Sequence, residues 1–187
     1  VGPLHTGENP IAKNSDIPIS GGLDVSVPKM AIVRQRFDDT HLKDVEKAVH
    51  EQITRPAIAT RVRSGMEIAV GAGSRGIANI GITVRATVQA LRELGAKPFV
   101  FPAMGSHGGA TAEGQQAVLA GYGITEEGVG APIRATMDTV LIGKMDDGTP
   151  VHMDRYAHEA NGVVLINRIK PHTSFRGPLE GRVITMM

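Results

Sequence analysis

The sequence contains no cysteine. Disulfides, thiolate-bound zinc and a cysteine nucleophile are therefore excluded, and a reducing, cytoplasmic setting is the expected one. No charge of one sign dominates: 20 lysines and arginines against 19 acidic residues leave a net +1. No global field draws such a chain to nucleic acid or to an anionic membrane, so any anion binding must be local. Long apolar runs are missing too. Stretches such as Gly162 to Ile166 fall far short of the roughly 20 residues of a membrane helix, so a soluble chain with no membrane or nucleic-acid partner is expected. The first residues show no basic segment leading into an apolar one; a signal peptide is not expected, and a trimmed or processed end accounts for Val1. What is present is ordinary globular composition: 187 residues, 41% hydrophobic and 21% charged, enough for one α/β core.

Residues 1–27, rich in glycine and proline without a sustained period, read as a flexible or surface-hugging arm, and residues 28–187 as the domain proper. A strand is expected at Met30 to Val33. A helix capped by Asp39 follows, with Leu42, Val45, Val49 and Ile53 at helical spacing, closed by Arg55-Pro56. Met66 to Val70 reads as a buried strand, and Ile77, Ile80, Val84, Val88 and Leu91 as one helical face ended by Gly95 and Pro98. Lys97 to Phe101 is a further strand, after which Thr111 can cap a helix through Val118 and Leu119 that stops at Gly121 and Gly123. Val140 to Lys144 and Thr149 to Met153 flank Asp146-Asp147-Gly148, which is hairpin chemistry; a short helix at Tyr156 to Ala160 and a strand at Gly162 to Ile166 complete the pattern. Strands alternating with helices imply an open, mostly parallel, twisted α/β sheet with helices on both faces, plus a small β-hairpin.

In such sheets ligands bind beyond the carboxyl ends of the strands, which singles out three loops. The first, Gly71-Ala-Gly-Ser-Arg-Gly76, matches G-x-G-x-x-G between a strand and a helix. Its glycines either shape a tight turn or, with Ser74 and Arg75, hold a phosphate or carboxylate. A nicotinamide-dependent oxidoreductase is disfavoured, because the next strand ends Phe101-Pro102-Ala103 without the acidic residue that binds ribose. The second loop sets His107 between Gly105-Ser106 and Gly108-Gly109: either a turn, or a general acid/base with room for substrate beside the ring. The third gathers Arg168, Lys170 and Arg176 around His172, with Thr173 beside it. It is either a solvated basic loop, or an anion site whose cations keep the imidazole neutral and able to accept a proton. His5, His41, His50, His152 and His158 form no metal-ligand spacing, and Ser74, Ser106 and Ser174 lie in no G-x-S-x-G elbow.

Gly71-Ala-Gly-Ser-Arg-Gly-Ile-Ala-Asn79, Pro102-Ala-Met-Gly-Ser-His-Gly-Gly-Ala-Thr111 and Val164-Leu-Ile-Asn-Arg-Ile-Lys-Pro-His-Thr173 resemble the N-terminal domain of the nickel-dependent lactate racemase family, in its branch of unassigned homologues. The likeness runs from about Val27 to Glu180. It implies a Rossmann-like domain of a two-domain isomerase that interconverts enantiomers or epimers of a 2-hydroxy acid by hydride transfer to a nickel pincer nucleotide. His107 and His172 match the family's two catalytic histidines. Arg75 matches an arginine near substrate and cofactor, and Ser74, Gly105, Ser106, Lys170, Thr173 and Arg176 are the implied binding neighbours. Ala72 and Gly108 stand where the racemase has an aspartate and an arginine, so the resemblance gives the substrate class and not the individual acid. Arg182 occupies the place of the lysine that tethers the cofactor; a noncovalent cofactor is therefore expected. The nickel ligand and the C-terminal domain are expected beyond Met187, which makes this chain a fragment or truncated product, inactive alone. The alternative is a nonenzymatic module binding an anion or nucleotide.

Overall fold

The computed structural model describes residues 31–74 and 76–168. The chain divides at Thr40 into two units. In the first, residues 31–40 carry no helix or strand, so the strand expected at Met30 to Val33 is not formed over its described part. Ile32 is 104% exposed and Val33 83%, so the described residues cover neither side chain, and an apolar run alone does not make a strand.

In the second unit, α1 (Val45–Thr54) is capped by Asp44, whose side chain accepts from the Lys47 amide. This corrects the expected cap, Asp39, and shortens the helix at its start. Arg55-Pro56 closes α1 as expected, but the proline then serves as the first residue of a short α2 (Pro56–Ala59), the one helical position where its missing amide costs nothing. After β1 (Glu67–Ala72) comes α3 (Ile80–Glu93), burying Ile80, Val84, Val88 and Leu91 on the stripe read from the sequence. Ile77 precedes this helix and packs half-buried against the same core. Next come β2 (Lys97–Pro102), α4 (Ala112–Gly121), capped by the Thr111 hydroxyl as expected, and a short α5 (Glu126–Val129). The hairpin forms as read, from β3 (Thr139–Lys144) and β4 (Pro150–Asp154), paired antiparallel. It leads into α6 (Arg155–Glu159) and β5 (Gly162–Ile166). Asp154 caps α6 through the Ala157 amide, and burial raises its carboxyl above the usual aspartate range.

The sheet order is β2-β1-β5, all parallel, with Ala72 level with Pro102 on one side and Ile166 on the other. Alternation along the strands divides the core. Ile68, Val70, Ala72 and Val100 face α3 together with Leu119 and Val129, whereas Ala69, Phe99 and Phe101 face Ala157 and Tyr156 of α6. Helices thus cover both faces. Gly71 makes the second face possible: a Cβ there would stand 2.8 Å from Leu165 Cδ2 and 2.9 Å from Phe101 Cζ. The two larger side chains close over the central strand because it has none at that point. No helix among the described residues is long and apolar enough to cross a membrane.

Candidate active site

Parallel pairing brings the ends of β1, β5 and β2 to one edge of the sheet. The Gly73 amide donates to the Ile166 carbonyl at 3.0 Å and the Ala103 amide to the Ala72 carbonyl at 2.9 Å, so pairing continues into the loops. At Gly73 a Cβ would crowd Ile77, Asn167 and the Ile166 carbonyl, all at 3.1–3.2 Å. The backbone of the first loop therefore lies directly against the start of the third.

His107 reaches the same edge. Its Nδ1 shares a hydrogen bond with Ser74 Oγ, a link between two loops 33 residues apart in sequence. Ser74 is 4% exposed, whereas His107 is half-buried. The serine thus lies beneath the imidazole rather than in the open. Such burial suits a residue that orients a ring and not a nucleophile, which must reach its substrate. On the other side of the first loop, Arg168 Nη donates to the Gly76 carbonyl at 3.2 Å. The described parts of all three loops therefore meet.

The loop bearing His107 is held from below. The buried Gln115 side chain of α4 donates to the Gly105 carbonyl at 2.7 Å, and Met104 is buried at 1% exposure. Gly108 and Gly114 approach each other so closely that a Cβ on Gly114 would lie 1.8 Å from the Gly108 carbonyl oxygen. The Thr111 hydroxyl donates to that same carbonyl at 3.3 Å while capping α4. Gly105 and Ser106 are exposed at the rim. Neither Gln115 nor Gly114 was singled out by sequence. The available signal was a polar side chain on the buried stripe of α4, four residues before Leu119.

Of the other expected site residues, Arg75, Lys170, His172, Thr173 and Arg176 lie outside the described residues. His50 is spent elsewhere, 2.7 Å from Glu93 on the exposed α1–α3 surface, and His152 contacts Thr139 on the hairpin. Among the described residues no three His, Asp or Glu side chains gather to hold a metal ion. The side-chain groups described at the edge are a hydroxyl, an imidazole and a guanidinium, beside main-chain amides and carbonyls. No carboxylate follows β2, where buried Ala103 and Met104 stand, so the ribose contact of a nicotinamide site has no support there.

Fold and geometry together define an α/β domain whose candidate loops meet at the carboxyl edge of a parallel sheet. The lactate racemase N-terminal domain family matches residues 15–177, and the chain belongs to that family. No curated protein matches the chain.

Proposed function

We propose that the chain is the N-terminal domain of a 2-hydroxy-acid racemase or epimerase, with His107 as one of its two acid/base groups. The observation that carries this is a half-buried histidine, hydrogen-bonded to a buried serine, at the edge where the described parts of the three loops meet, in a chain of the lactate racemase N-terminal domain family. A family defined as an N-terminal domain implies a partner domain C-terminal to it, and a small substrate between the two.

Interconverting the hands of a 2-hydroxy acid requires a base on the hydroxyl while the α-hydrogen leaves, and an acid to return the proton once the hydrogen comes back on the other face. In this reading His107 exchanges the hydroxyl proton for one enantiomer and His172 for the other. Arg75, Lys170 and Arg176 hold the substrate carboxylate and the cofactor phosphate, with Thr173 and the rim groups of Gly105 and Ser106 lining the same cleft. A nickel pincer nucleotide, held noncovalently, supplies the hydride acceptor when bound. No metal ligand is assigned to the described residues.

The test is direct. The complete enzyme, loaded with cofactor and given single-enantiomer 2-hydroxy acids of increasing side-chain size, is expected to erode the optical purity of at least one. Unchanged optical purity across the series, with cofactor bound, would support the nonenzymatic module instead.

A further inference from the structure

We propose that the edge of the sheet opposite the candidate active site carries a binding site for a phosphate group, free or as the monoester of a small organic molecule. The site takes nothing from the racemase reading. β1 and β2 start there side by side, with Glu67 level with Lys97, and α3 brings Arg92, in its last turn, to the same place. The chain after α5 adds a further wall. The Val100 amide donates to the Pro132 carbonyl at 2.8 Å and the Arg134 amide to the Val100 carbonyl at 2.9 Å, so residues 132–134 run parallel to β2. Together these elements line a groove of about 330 Å³, the size of the smaller ligand pockets.

Three cations, Arg92, Lys97 and Arg134, and one carboxylate, Glu67, line this groove. Arg134 is the fixed one. One Nη donates to Glu67 Oε1 at 3.0 Å and the guanidinium carbon lies 4.3 Å from the centre of the Phe99 ring, so the group is held in place while using one of its five N–H donors. The Arg92 and Lys97 side chains make no hydrogen bond or ion pair among the described residues. Each has a use without a ligand, since a cation in the last turn favours the carboxyl end of a helix and a lysine at the start of a strand is solvated. Neither use accounts for three cations around one concave groove with a single counter-charge. Three positive charges less one negative leave +2 there, in a chain of net +1. That matches a phosphate, which carries about −1.5 to −2 near neutral pH and offers three oxygens to donors arriving from three elements. A carboxylate, with one charge and two oxygens, would leave a cation unmatched. Ala96, Pro98 and Pro132 give the groove apolar surface as well, room for the organic part of an ester.

Binding is read residue by residue, from backbone amide NMR shifts of the 187-residue chain titrated at constant ionic strength with inorganic phosphate and, separately, with glycerol 3-phosphate. The Lys97 and Arg134 amides are expected to move together and to saturate with a Kd at or below about 1 mM. Tighter glycerol 3-phosphate would identify an organic monoester as the ligand and tighter inorganic phosphate the free anion; either supports the site. Arg92→Gln, whose side chain has no hydrogen bond or ion pair to lose among the described residues, is expected to raise Kd about tenfold, and Arg134→Gln at least as much. Glu67→Gln should lower it, because the amide oxygen still accepts from Arg134 but no longer repels the ligand. Lys144→Gln, at the end of β3, makes the same change in net charge as Arg92→Gln and should leave Kd unaltered. Shifts at Lys97 and Arg134 that fail to saturate, or shifts confined to the loops after β1 and β2, would overturn the proposal, as would equal Kd values in Arg92→Gln and Lys144→Gln.

Discussion

His107→Ala in the complete enzyme is expected to lower the rate of enantiomer interconversion by about 10²–10⁴-fold, the usual worth of a positioned acid/base group. Cofactor binding and melting temperature should change little. The ring is half-buried and hydrogen-bonded to Ser74, and it belongs to neither core cluster, so truncation opens the edge without cutting into the core. The buried Ser74 hydroxyl loses one partner, a cost on the order of 1 kcal/mol. Polarimetry for the rate, circular dichroism for the fold and cofactor absorbance for loading separate these effects. A variant that kept the wild-type rate would remove His107 from the chemistry, whereas one that failed to fold would reassign it to structure.

The second large effect is expected at a glycine that takes no part in proton transfer. Gly114→Ala puts a methyl group 1.8 Å from the Gly108 carbonyl oxygen, closer than any two such atoms can sit. Either α4 or the His107 loop must move. Overpacking of this kind typically costs about 1–3 kcal/mol and occasionally more. Displacing His107 by about 1 Å is enough to cost on the order of 10²-fold in rate. Gly121→Ala, on the same helix, is the control: no atom lies within 4 Å of its added Cβ, and alanine is favoured over glycine in a helix by about 0.5–1 kcal/mol. Thermal melts of the pair should move in opposite directions. Equal melting temperatures would mean that the Gly108–Gly114 approach is not a fixed contact.

What could be read from sequence follows from how local each signal is. The stripe of α3, the Thr111 cap, the hairpin turn at Gly148 and the apolar run of β5 depend on neighbours a few residues away, and each stands where it was expected. Asp39 and Asp44 both precede the same helical run, and only the fold decides which carboxylate meets a bare amide. The short α2 and α5 were passed over although their signals are present: a proline at the first position in one, and Thr125 followed by Glu126 and Glu127 in the other. Met30 to Val33 shows the opposite failure, because apolar composition says nothing about whether a partner edge exists. For the site, the order of strands and loops already implied that the glycine-rich turns share one edge. That Ser74 lies under His107, or that Gln115 ties down Gly105, depends on residues brought together across the fold, and no spacing encodes it.

The most direct measurement of the proposed reaction follows the α-hydrogen itself. A single-enantiomer 2-hydroxy acid carrying deuterium on the α-carbon is incubated with the cofactor-loaded complete enzyme, and the opposite enantiomer is isolated and analysed by mass spectrometry. Hydride transfer, with His107 handling only the hydroxyl proton, predicts that the new enantiomer keeps its deuterium and that its formation falls about 10²–10⁴-fold in His107→Ala. An opposite enantiomer carrying solvent hydrogen at the α-carbon, or formed equally fast without the imidazole, would contradict it.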